Sequence, residues 1–291
     1  MSTAEVDLDV EALLRLRGLA AAMRFGRKPP RSALPGAVLH RRRGRGVELY
    51  DIKAWSEGDD MRHLDPNVTA RTGTPHVRGF RDERERSVLL IVDFRPAMMF
   101  GTRHALRSVA AAEAATALSW RVIEEGGSVN IIAAMADGAR PLGRARGARA
   151  MVLLIGELSG AHRDALAGAG AHDPPLAAIL NQAEGLAGSG AIVVATSLDA
   201  PGDGFDELAE RLARKRDLSI ALIADRFVID PPRGGYPFRT NEGDAGWLRI
   251  TENSPPDARL ARLRRLGVDF VQIDAALGPE EMANALERLD S

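Results

Sequence analysis

The stretch that most constrains the fold is SVLLIVDF, residues 87–94, a continuous apolar run interrupted only by an aspartate near its end. A half-exposed strand alternates apolar and polar residues. Consecutive apolar positions call instead for a strand buried on both faces, as in parallel sheets covered by helices. The same signature recurs in SVNIIAAM, AIVVATSL, LSIALIAD and VDFVQID. Between these runs lie segments of helical spacing: 103–127, 149–158, 175–185, FDELAERLARK, DARLARLRRLG and PEEMANALERL. Alternating buried strands and amphipathic helices predict a doubly wound, mostly parallel α/β sheet flanked by helices over residues 87–291. Residues 226–256 break the rhythm and predict a hairpin or covering loop.

Residues 1–86 read differently, as an N-terminal extension integral to the domain. Apolar positions at Leu13, Leu16 and Met23 predict an amphipathic helix over 5–23. A basic segment follows at 24–46, with eight Lys or Arg and no acid. GVELYDIKAW and PHVRGFRDE then alternate as strands around the polar segment SEGDDMRHLDPNVTART.

Composition excludes several classes. With no cysteine there is neither a disulfide framework nor a thiolate metal site. No run approaches the roughly 18 apolar residues of a membrane helix, and the acidic opening MSTAEVDLDV is not a secretory signal. A cytoplasmic protein without a membrane span is expected. The net charge of −1 gives no general pull toward nucleic acid. The stretch Arg24–Arg45 is the one basic feature on which a nucleic-acid binder would rest, but lysine occurs only at 28, 53 and 215, so arginine is the chain's ordinary cation. No phosphate-binding glycine loop, serine elbow or paired-histidine zinc motif is present. No catalytic residue and no cofactor is expected.

The run GRGVELYDIKAWSEGDDMRHLDPNVTART, followed by a strand ending in aspartate, resembles the DUF58 family. The matching positions are Gly44, Gly46, Glu48, Gly58, Asp59, Asp60, Arg62, Asp65, Ala70 and Arg71. Lys53, Trp55 and Pro66 depart from the pattern, and Pro66 removes a backbone donor. The resemblance implies a von Willebrand factor A (vWA)-like domain with an N-terminal helix and β extension, working with a MoxR-type AAA+ ATPase on a target protein. AWSEGDDMRHLD and VDFRPAMMFGTRHALRSVAAAEA further resemble MxaS/MoxS-type members, which implies a target such as methanol dehydrogenase. In this frame Gly58, Asp59, Asp60, Arg62, Asp65 and Arg71 form a motif whose carboxylates cap turns and pair with arginines.

The vWA resemblance also implies a metal site of the form D-x-S-x-S after the first central strand. Here Asp93 stands, but Arg95 and Ala97 replace the two serines, and the later loop AHDPPLAAIL carries no threonine. A magnesium ion wants about six oxygens, and a guanidinium repels it. The expectation is therefore a lost metal site. Asp93, Arg95, Ser197 and Asp199 would bind a partner, with Arg95 holding a partner's carboxylate or simply paired to a nearby acid. A competing class is a metal-dependent hydrolase built on Asp59, Asp60, Asp65 and Asp93.

Overall fold

A computed structural model describes residues 6–23, 49–56, 61, 64–80, 87–102, 105–168, 173–185, 190–239, 244–251 and 257–290. The chain separates into two compact units, one of Arg31–Glu85 and the other of Met1–Pro30 with Arg86–Ser291.

The larger unit is built on a six-stranded sheet. Its strands are β3 (Ser87–Asp93), β4 (Ser128–Met135), β5 (Gly138–Arg146), β6 (Ala191–Thr196), β7 (Leu218–Ala224) and β10 (Asp269–Asp274). They lie in the order β10-β7-β6-β3-β4-β5, all parallel except β5. This is the doubly wound, mostly parallel sheet that the apolar runs predict. Val88, Leu90 and Val92 point into one core, shared with α1 (Val10–Ala22), α3 (Arg107–Glu124), α4 (Ala148–Ala167) and α9 (Pro279–Leu286). Leu89 and Ile91 point into the other, under α5 (Leu176–Glu184), α6 (Phe205–Lys215) and α8 (Ala258–Leu266). Each such fully buried side chain contributes about 1.5–3 kcal/mol relative to exposure, which fixes the strand's register between two helical layers.

Helix α1 belongs to this unit. Asp9 caps it by accepting from the Glu11 amide, and its stripe of Leu13, Leu16 and Ala20 is buried. The indole of Trp120 on α3 donates to the Leu13 carbonyl at 3.2 Å, and Arg17 lies over the same ring. The division of the chain thus falls at about residues 30 and 86, not at residue 86 alone, because the apolar stripe of α1 completes the α/β core.

Strand β5 lies outside the elements expected from sequence. GARPLGRAR has neither the alternation nor the residue types of a strand. It is an edge strand returning antiparallel to β4, a place where Pro141 is tolerated. Helix α4 also extends well beyond the expected 149–158.

The smaller unit pairs β1 (Leu49–Ala54) with β2 (His76–Phe80) antiparallel, with α2 (Pro66–Thr72) between them. Asp65 caps α2, accepting from the Asn67 and Val68 amides at 3.0 and 3.1 Å. Pro66 occupies the first helical turn, where no amide donor is needed, so its departure from the family pattern has no backbone cost there.

After β7, α7 (Arg226–Ile229) leads into a hairpin of β8 (Gly234–Arg239) and β9 (Ala245–Ile250), as the broken rhythm suggested. No helix among the described residues is long and apolar enough to cross a membrane.

Candidate functional site

The chain runs from β3 to β4 on one side of the sheet, while β6 flanks β3 on the other. The loops leaving β3 and β6 therefore diverge, and a doubly wound sheet places its sites at such a switch point. Asp93 ends β3 and Thr196 ends β6, and both are fully buried.

Arg95 folds back onto Asp93. Its backbone amide and Nε donate to Asp93 Oδ1 at 3.0 and 2.9 Å, and Nη2 donates to Oδ2 at 2.7 Å. Thr196 Oγ1 donates to the same Oδ2 at 2.6 Å. A carboxylate offers about four acceptor positions, and all four are taken. The remaining guanidinium nitrogen, Nη1, donates to the Pro174 carbonyl at 2.6 Å and the Ala200 carbonyl at 2.9 Å. One buried arginine therefore ties the loop after β3 to the loop before α5 and the loop after β6. Burial works against its charge, but the Asp93 carboxylate, with Asp173 and Asp199 beyond, outweighs that and raises its pKa.

A divalent ion does not fit this arrangement. Asp93 has no acceptor left, and the guanidinium holds the place beside it. Among the described residues no group of three or more His, Asp or Glu is placed to hold a metal. Of the two expectations for Arg95, gripping a partner's carboxylate is corrected, and pairing to a nearby acid is what the structure has. Arg95 is wholly buried, and its bidentate carboxylate is Asp93 of its own loop. Asp93 and Ser197 are also sealed, so of the four residues expected to meet a partner only Asp199 reaches the surface.

Around this centre lies a second ring. Asp199 Oδ2 accepts from Arg107 Nη1 at 2.6 Å, and Oδ1 from Arg259 Nη1 at 3.1 Å. Arg259 also grips Asp257 and donates to the Ser197 carbonyl at 2.8 Å. That hold keeps the Asp257 carboxyl below the usual range. Arg107 stacks on Phe100, 4.8 Å from the ring centroid. Asp173 lies next to Pro174 and Pro175, half-buried, with its carboxyl beside the Ala97 amide. Leu198 adopts a left-handed conformation (φ 58°), with its amide donating to Thr196 Oγ1 at 3.0 Å. Such a conformation in a non-glycine residue costs on the order of 1 kcal/mol and is held only by its surroundings. A side chain at Gly202 would collide with Pro175, so the β6 and α5 loops approach as closely as glycine permits.

Sequence reading passed over Thr196 as a site residue, and over Asp173, Arg107 and Arg259 altogether. Thr196 carried a signal, a hydroxyl at a buried strand's end. So did Asp173, the acid of the AHDPPLAAIL loop. The two arginines were hidden by the abundance of arginine.

Gly58, Asp59, Asp60 and Arg62, with the basic stretch Arg24–Arg45, lie outside the described residues. Asp65 is a helix cap, and Arg71 lies exposed in the last turn of α2. Of the acids of the hydrolase reading, Asp65 caps α2 and Asp93 is saturated by Arg95 and Thr196. Elsewhere Ser108 Oγ lies 2.9 Å from His162 Nε2, but both residues are buried in the core, with Phe94 edge-on to the imidazole.

The model of the family described as "Protein of unknown function DUF58" matches residues 51–245, more than half of the chain. The chain belongs to the DUF58 family. It is 36% identical over 126 residues to uncharacterized proteins of Mycobacterium bovis and Mycobacterium tuberculosis. The match covers 42% of this chain and 39% of theirs, so the chain spans about two fifths of the length of those relatives. A crystal structure of the conserved hypothetical protein BatB from Bacteroides thetaiotaomicron is similar over 70% of this chain and 96% of that one, with 14% identity and a TM-score of 0.47.

Proposed function

We propose that this DUF58 protein is a non-enzymatic, metal-independent accessory protein that works with a MoxR-type AAA+ ATPase in the maturation or activation of a target complex. The resemblance to MxaS/MoxS-type members makes methanol dehydrogenase the first target to try. The supporting observation is the saturated Asp93. A carboxylate that accepts from Arg95 three times and from Thr196 once is a cross-link, free for neither a metal nor a proton transfer. What faces outward at the strand tips is a surface of loops fixed by that cross-link, suited to recognition.

The test is co-purification of the tagged full chain with the MoxR-type ATPase, with and without ATP, magnesium being present throughout because the ATPase itself needs it, beside titration of the chain alone with Mg²⁺. Retention that depends on nucleotide, with no Mg²⁺ binding by the chain alone, is expected. No retention in any nucleotide state, or Mg²⁺ binding by the chain alone that is lost in Asp93→Ala, overturns the proposal. So does turnover of a small molecule by the purified chain.

A further inference from the structure

Among the described residues, five buried side-chain polar atoms lack a hydrogen-bond partner. Three of them, Asp173 Oδ1, Ser197 Oγ and Arg107 Nε, lie around the same strand tips. Buried polar groups are ordinarily satisfied, and since Ser197 and Arg107 are sealed, half-buried Asp173 is the one of the three that an outside group can reach. The charges decide which kind. Among the described residues the cluster contains three guanidiniums, Arg95, Arg107 and Arg259. Arg95 takes Asp93, Arg259 takes Asp257, and Arg107 and Arg259 share Asp199. Among the described residues Asp173 is left without an ion pair. The Ala97 amide lies beside its carboxyl.

Asp173 is also the acid best placed to wait for a partner. Unlike Asp93 it is only half-buried, so it is reachable from solvent. It precedes two prolines, and the carbonyl of the first is held by Arg95, so little conformational freedom remains to be lost on binding. From this geometry we infer that Asp173 is the receptor for a cationic side chain, lysine or arginine, of a partner protein. That polarity is the reverse of what a metal or a free Arg95 would attract. Burial, together with the nearby Asp93 and Asp199 charges, pushes the Asp173 carboxyl up, while Arg95 and the Ala97 amide pull it down. An added cation relieves that burden. The inference rests on reading the strand tips as the partner-binding face.

Two arms test it separately. In the first, the ¹⁵N-labelled full chain is titrated with N-acetyl-lysine methylamide or N-acetyl-glutamate methylamide, following the Ala97 amide by NMR. A saturable shift with the lysine probe, on the order of millimolar, is expected, with none in Asp173→Asn and none with the glutamate probe. A response to the glutamate probe, or a lysine response that survives Asp173→Asn, overturns the inference. In the second arm, Asp173→Lys is expected to weaken binding of the MoxR-type ATPase about tenfold or more. Asp217→Lys, the same charge change at the opposite end of the sheet, is expected to leave it unchanged. Equal binding by wild type and Asp173→Lys sinks the inference. Absence of wild-type ATPase binding sinks the proposed function instead, and the first arm still decides this one.

Discussion

Asp93 and Asp173 are the same residue type in one cluster, yet they are in opposite states. Asp93 is sealed and accepts four hydrogen bonds, three of them from Arg95. Asp173 is half-exposed, and one of its oxygens is buried without a partner among the described residues. The difference teaches how a strand tip divides its charges. The inner carboxylate and its arginine fix three loops, while the outer carboxylate keeps its capacity for bonding. A buried ion pair of this kind contributes little net stability against an apolar replacement, but losing one member is costly. The inner pair should therefore respond to substitution in stability, and the outer acid in recognition.

The largest effect is expected for Arg95→Ala, which strands Asp93 in the core. A loss of about 3–5 kcal/mol is expected, or roughly 10 °C in melting temperature. A double-mutant cycle with Asp93→Asn should return a coupling of about 2 kcal/mol. Additive losses would mean the two residues are not a closed unit, and the contrast with Asp173 would collapse.

Acidification sharpens the contrast through His162, which packs behind Phe94 on the sealed side. Burial lowers its pKa from 6.5 to about 4, against a small opposing pull from Asp7. The unfolded chain then binds a proton that the folded chain refuses between those values. Stability is full above pH 6.5 and falls as the pH drops toward 4, by on the order of 3 kcal/mol. Asp173 runs the other way, because its raised pKa makes its protonated form the one folding favours. Its contribution is present at low pH and lost as the pH rises through its folded pKa. Urea denaturation of wild type and His162→Gln at several pH values checks this. Parallel pH profiles for the two proteins would remove His162 from the account.

Smaller effects belong to the outer ring. Asp199→Ala breaks its partly exposed bridges to Arg107 and Arg259, and a loss of about 1 kcal/mol is expected by chemical denaturation. Asp173→Asn should change stability by no more than about 0.5 kcal/mol near neutral pH. A loss of several kcal/mol there would show that Asp173 is a structural acid like Asp93.

Much of the fold could be read directly from residue types. SVLLIVDF allows only a strand buried on both sides, and the spacing of Leu13 and Leu16 gives the face of α1. Strand β5 could not be read, because GARPLGRAR becomes a strand only through its ladder with β4. The site was half legible. Asp93 and Arg95 stood out by their places in a broken metal motif. Asp173 and Arg259 lie 80 and 166 positions from Asp93 in the chain, and no local pattern joins them to it.

By itself the sequence determined the layered α/β architecture and the absence of two serines where a metal would need them. Both are local matters of which atoms a residue carries and how apolar positions repeat. Only the tertiary structure decided that Arg95 turns inward to Asp93 and that Asp173 is left over. Pairing among charges depends on which ones the fold brings within hydrogen-bond reach, and a count of arginines and aspartates cannot supply that.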